Sequence, residues 1–182
     1  MSSIATSRLL VATGSFLLLL LAQCFDPAAA ELPLPFDKLA GRWTGEGRLG
    51  MREGNTETVK CRVTYFLEGD GNQVRQNIRC ASTSGSIEIV SSVSHIAGAL
   101  TGSWRELTRN MSGELEGTVT PHGFKVAVKG TDLSANMDII VKGTRQVIET
   151  QFNNSALVGL TLILSKADAP VSSRALSAAP SR

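Results

Sequence analysis

Leu39-Ala40-Gly41-Arg42-Trp43-Thr44-Gly45-Glu46-Gly47 reads as the first strand after an export signal and as the start of a closed antiparallel barrel. It follows a short acidic-apolar lead-in, Phe36, Asp37 and Leu39, and a Gly-x-Trp in that setting suits a strand whose indole closes one end of a barrel. The same residues also fit a core tryptophan on an ordinary strand. A second copy of the pattern stands at Leu100-Thr101-Gly102-Ser103-Trp104-Arg105-Glu106, but the segments after the two copies do not align, which argues against a duplication.

Upstream of this strand, residues 1–30 hold one positive charge (Arg8), an apolar run from Phe16 to Ala22 and small residues at Ala28-Ala29-Ala30. That pattern is a secretory signal peptide cut near Ala30, too short and too interrupted for a membrane span, so no transmembrane span is expected in the mature chain. The expected location is periplasmic or secreted. Lipoprotein processing at Leu21-Ala22-Gln23-Cys24 is the competing reading, and Gln23 fits poorly before a lipidated cysteine. Residues 31–38, with Pro33 and Pro35, are expected to run extended into the barrel.

Downstream, two cysteines remain once the signal is gone, Cys61 and Cys80, and in an oxidising compartment an even count predicts a disulfide. The stretch between them reads as a hairpin turning at Glu68-Gly69-Asp70-Gly71-Asn72-Gln73. If Glu68 pairs with Gln73, then Leu67 faces Val74, Tyr65 faces Gln76, Val63 faces Ile78 and Cys61 falls opposite Cys80. A redox-active pair would need a Cys-x-x-Cys or a perturbed thiolate, and neither is visible.

The rest of the chain alternates with period two. Val59, Cys61, Val63, Tyr65 and Leu67 share one face; Ile87, Ile89 and Val93 follow; then Leu115, Gly117 and Val119, and Phe124, Val126 and Val128. Val158, Leu160, Leu162 and Leu164 share a face of the last strand. Aromatics are scarce at 5%, Gly is abundant at 17 residues, and turn residues recur at short intervals. The expectation is all-β, an up-and-down antiparallel barrel of about ten strands over 39–166, closed because closure removes both sheet edges. Residues 167–182, rich in Ala, Ser and Pro, are expected to be a disordered tail.

On Gly41-Arg42-Trp43, the meander and the disulfide hairpin, the chain resembles small secreted bacterial proteins with a lipocalin-like (calycin) β-barrel, a group without an assigned function. The resemblance covers about residues 36–166. It implies an arginine near the barrel's end stacked on the first-strand tryptophan, a role that Arg145 or Lys166 would have to serve here. The helix that usually follows such a barrel is not evident.

Little in the chain supports catalysis. His95 at a strand end and His122 in the turn Pro121-His122-Gly123 stand alone, and no spacing for a metal, a nucleophile elbow or a dinucleotide is present. No cofactor is implied. Glu114 and Glu116 alternate with Leu115 and read as a solvated face; Arg75 and Arg79 read as solubilising charge without the aromatics that nucleic acid would need. The net charge of +2 points to no charged partner.

Two functions remain in view. A small apolar or amphipathic ligand inside the barrel would be lined by Val63, Tyr65, Ile89, Val126, Val128, Ile139 and Val141. Alternatively the interior is simply packed and the barrel is an envelope structural or inhibitor-like protein whose outer face engages a protein partner.

Overall fold

The structure, a computed structural model, describes residues 34–167. The expected signal peptide, the Cys24 site, the first residues of the lead-in and the tail beyond Ala167 lie outside the described residues. Ten strands follow one another: β1 Gly41–Met51, β2 Thr56–Glu68, β3 Gln73–Ser82, β4 Gly85–Ile96, β5 Ala99–Glu106, β6 Met111–Thr120, β7 Gly123–Gly130, β8 Ser134–Lys142, β9 Arg145–Asn153 and β10 Leu157–Lys166. Each pairs antiparallel with the next, and β10 pairs with β1 to close the barrel. The fold expected from the sequence is therefore the one observed. Its core is the inward face, where Trp43, Val63, Val74, Leu100, Phe124, Ile148 and Leu164 are buried.

The β2–β3 hairpin has the register that the sequence dictates, with Glu68 opposite Gln73 and Cys61 opposite Cys80. The two cysteines are bonded, their Cα atoms 4.1 Å apart. The turn works because Gly69, Asp70 and Gly71 all take positive φ. Asp is among the few side chains that tolerate the left-handed region, and glycine enters it freely.

Two expectations need correction. Residues 35–39 do not run extended: they form consecutive turns, with Asp37 N–H donating to Leu34 O and Leu39 N–H to Phe36 O. Proline fixes its own φ but leaves the following residues free to turn. On β10, Val158 does not share the inward face of Leu160, Leu162 and Leu164; it is exposed, because a register shift at Gly50/Met51 breaks the alternation. At the other end of that strand Ala167, expected in the tail, still donates its N–H to Arg42 O.

Inward glycines fix how tightly the wall bends. On β1, Gly45 and Gly47 face Leu164 and Leu162 of β10. A Cβ at Gly45 would collide with the Ile163 carbonyl, and one at Gly47 with the Thr161 carbonyl. On the far side Gly102, Gly113 and Gly117 have the same relation to Ser92, Lys129 and Lys125. Strands coil sharply at such positions, and two groups of them on opposite walls let ten strands close.

Gly45→Ala should therefore destabilise by about 1 to 3 kcal/mol, the range for overpacking a filled site. Gly50→Ala, whose nearest neighbour would be Gly159 O at 3.8 Å, should change stability far less. Urea titration of both variants checks this, and equal midpoints would refute the seam argument.

Candidate functional site

The hairpin links alternate between the two ends, and the chain treats the ends differently. At the end where β1 begins, the lead-in folds across the opening. Leu34 packs against Gly71 in the β2–β3 turn. Phe36, 2% exposed, lies 5.6 Å from the Phe124 ring on β7 and 6.4 Å, edge on, from the His95 ring on β4. One side chain thus bridges walls three strands apart. His95 is held in turn: Gly98 N–H donates to its Nε2, and Nδ1 stands 3.3 Å from Asn72 Oδ1.

Beneath this strap sits Trp43, 0% exposed, its Nε1 donating to Leu39 O at 2.7 Å. Lys166 Nζ stands 5.5 Å from the indole centroid and 3.4 Å from Lys38 O. Lys166 takes the position over the tryptophan that the resemblance offered to Lys166 or Arg145; Arg145 itself is exposed. Cation–π attraction suits that geometry, and the ammonium also ties the lead-in to the last strand.

The next layer inward is polar. Tyr65 and Gln146 are both buried, with Gln146 Nε2 donating to the Tyr65 oxygen at 3.0 Å. They satisfy each other across the interior from β2 to β9. Beside Tyr65 on the same inward row come Gln76 of β3 and Ser91 of β4. The hairpin register puts Gln76 opposite Tyr65, but the sequence does not single out Ser91 beside it, since a polar residue on an apolar face looks like noise until its neighbours in the row are known.

Toward the other end the wall is apolar but incompletely covered. Ile78, Ile87, Ile89, Val126, Val128 and Met137 face inward and are only half-buried, as is Ile139 opposite Phe124, nearer the strap. The seven residues expected to line a cavity therefore divide. Ile89, Val126, Val128 and Ile139 belong to this half-buried group, whereas Val63, Tyr65 and Val141 are fully buried.

At this second end no segment like the lead-in crosses the opening among the described residues. Its rim carries two inward carboxylates. Glu57 accepts from Ser84 N and Oγ, and the hydroxyls of Ser82 and Ser84 hold its carboxyl below the usual range. Glu106 is buried; desolvation pushes its carboxyl up, but donors from Thr108, Arg109 and Glu88 together outweigh that and hold it low. The second tryptophan, Trp104 on β5, donates to Lys129 O at 3.2 Å and lies over Gly113 and Gly130.

The outer face is charged. Arg75 pairs with Glu68 at 2.9 Å and Arg79 with Glu88 at 2.8 Å. Glu116, expected on a solvated face, pairs with Lys129 at 2.6 Å, and Glu114 is exposed. A broad concavity of about 710 Å³ lies at β1 to β4, lined by Thr44, Glu46, Lys60, Arg62, Arg79 and Glu88 of the outward face among others. It is open to solvent, and its lining also includes Gly45, Cys61, Cys80 and Ile87 of the inward face. His122 is exposed in its turn, and among the described residues no three His, Cys, Asp or Glu come together as a metal site. No described helix is long and apolar enough to cross a membrane.

No family model matches the sequence, and no curated protein does. Several solved structures are similar in fold, two of them as follows. The S-type phycobiliprotein lyase CPES from Guillardia theta superposes with a TM-score of 0.59 at 9% identity, over 74% of this chain and 91% of that one. Rv2717c from M. tuberculosis gives 0.61 at 12% identity, over 75% and 99%. Both are calycin-like barrels of ten strands, and the likeness is one of fold.

Tyr65 is the chain's one tyrosine, which makes the polar layer easy to read. Burial pushes its phenol from 10.0 up to about 12, with the Gln146 bond opposing in part. The folded protein therefore holds this proton where the unfolded chain has lost it. The associated stability is complete below the unfolded value of 10.0 and is lost as pH rises toward about 12. Ultraviolet titration should show phenolate forming near the higher value in the native protein and near the lower in denaturant. Native titration at the lower value would mean that the layer is wet.

Proposed function

We propose that the chain is an exported carrier that holds a small apolar or amphipathic molecule inside its barrel. The observation that carries this reading is the half-buried apolar wall of Ile78, Ile89, Val126, Val128, Met137 and Ile139. Protein interiors are packed to the density of organic crystals, so inward aliphatic side chains that keep accessible surface mark space that the chain does not fill itself. The strapped end shows that this chain can pack an interior when its sequence provides bulk. The other half has mainly aliphatic side chains and glycines, with Trp104 and Phe152 its inward aromatics among the described residues.

A ligand in that space removes apolar surface from water at roughly 25 cal/mol per Å² and needs no catalytic group. No enzymatic role is assigned. Export is the reading of residues 1–30, with the mature chain beginning at Glu31. A disulfide between Cys61 and Cys80 accords with an oxidising compartment.

Intact mass of protein recovered from the envelope or medium tests export: a chain starting at Glu31 with no free thiol is expected. A lipidated Cys24 at the N-terminus, or retention of residues 1–30, would refute it.

The interior is tested with the neutral polarity probe N-phenyl-1-naphthylamine. Fluorescence should rise on adding the protein, and Val126→Arg should weaken uptake at least about tenfold, because a cation without a partner is costly in an apolar wall. Ala127→Arg, on the outward side of the same strand, should leave uptake unchanged. Absence of uptake by the native protein would reject the carrier.

A further inference from the structure

Resting on the carrier reading, the geometry points to a ligand with a neutral hydrogen-bonding head, an alcohol, ester or amide, seated deep at Gln76 and Ser91 with its apolar chain toward the unstrapped end. Three observations converge on it. The first is an unmet hydrogen bond. Ser91 is 7% exposed, and its Oγ is the one buried side-chain polar atom of the described residues with no partner. Gln76, its cross-strand neighbour, is half-buried and makes no side-chain hydrogen bond among the described residues. A buried hydroxyl left unpaired is a cost that native proteins keep only for a reason. The neighbouring polar pair Tyr65 and Gln146 shows the same row fully satisfied one strand away.

The second is position. On β2 to β4 the inward rows run from the strapped end as Leu67, Val74 and Val93; then Tyr65, Gln76 and Ser91; then Val63, Ile78 and Ile89; then Cys61, Cys80 and Ile87. The polar row thus lies at depth, with an apolar wall between it and the unstrapped end. A head group at Gln76 is one strand spacing, about 5 Å, from Ser91, whose hydroxyl turns about a single torsion to meet it.

The third is charge. Among the described residues the inward positions of the ten strands carry a lysine or arginine only at Lys166, which is committed to Trp43 and Lys38 O at the strapped end. A carboxylate or phosphate head would be buried at Gln76 without a counter-charge. On its way it would pass Glu57 and Glu106 on the rim; of the arginines in the loops there, Arg52 is tied to Ser155 O and both Arg52 and Arg109 are exposed. A cationic head would stop at those carboxylates and leave the polar row unused.

The experiment displaces bound N-phenyl-1-naphthylamine with decan-1-ol, decanoate and decylamine at pH about 8, where the acid and the amine are both ionised. Decan-1-ol should compete at a concentration at least about tenfold below the other two. Any apolar cavity favours the alcohol to some extent, so the decisive variant is Gln76→Leu with Ser91→Ala. It should weaken decan-1-ol about tenfold, the worth of two ordinary hydrogen bonds, while binding the probe within about twofold of the native protein. Ser91→Ala alone should not lower the melting temperature, since it removes a hydroxyl that has no partner. The inference is overturned, with the carrier reading intact, if decanoate or decylamine competes as well as the alcohol, if none of the three competes, or if the double variant keeps the alcohol's full affinity. Failure of the native protein to take up the probe would remove both.

Discussion

The approach of β1 to β10 is the constraint on which the rest depends. Ten strands joined by short links make a ribbon with two open edges, and such edges pair with other chains unless they meet. Here they meet because Gly45 and Gly47 have no Cβ where the opposing carbonyls come close. Leu162 and Leu164 then fill the space inside the seam that side chains on β1 would have taken, and both are buried. Closure also decides where the termini of the barrel lie. The lead-in and the exit of β10 must share one end, which is why Lys166 can reach both Trp43 and the Lys38 carbonyl.

The two ends of the barrel differ in kind as a result. One is crossed by residues 34–40 and filled by Phe36, Leu39 and Trp43. Burying a large aromatic side chain contributes about 1.5 to 3 kcal/mol, so a strap of this type stabilises the fold while it shuts the opening. The other end has only hairpin links among the described residues, and much of the inward wall near it is half-buried Ile, Val and Met. The chain has nine aromatic residues in 182, one of them tyrosine and two tryptophan, and those at the strapped end leave few for the rest. Scarce aromatics and a partly uncovered wall are one fact seen in composition and in structure.

Much of this was legible in the sequence. The Cys61–Cys80 register followed from counting outward from a four-residue turn, because period two and antiparallel pairing leave no freedom once the turn is fixed. The strands and their closure followed from alternation and short links. What escaped has a common cause: it depends on pairings distant in sequence. The bulge that turns Val158 outward is set by β1, about a hundred residues earlier, and cannot be seen in β10 alone. Likewise Phe36 looked like part of an extended lead-in because its partners, His95 and Phe124, are distant in the chain. The same holds within the site: periodicity puts Val63 and Val141 on the inward face beside Val126 and Ile139, but does not say which of them their neighbours cover fully.

The polar row carries the argument furthest, because it departs from the pattern that the rest of the interior obeys. An inward position on a half-buried strand favours an apolar residue, and Val or Ala at Ser91 would pack there without leaving a hydroxyl unpaired. The fold gives no return for the serine: its oxygen supports no strand, turn or neighbouring side chain. Elsewhere in the barrel buried polar atoms are matched, Glu106 by the backbone donors of its own turn and Gln146 by Tyr65. Where local rules and global fold agree almost everywhere, the positions that break a rule without a structural gain are the ones to associate with function. Here the break is neutral, deep, and reached through an apolar wall, and a molecule complementary to it must be neutral at its head and apolar behind it.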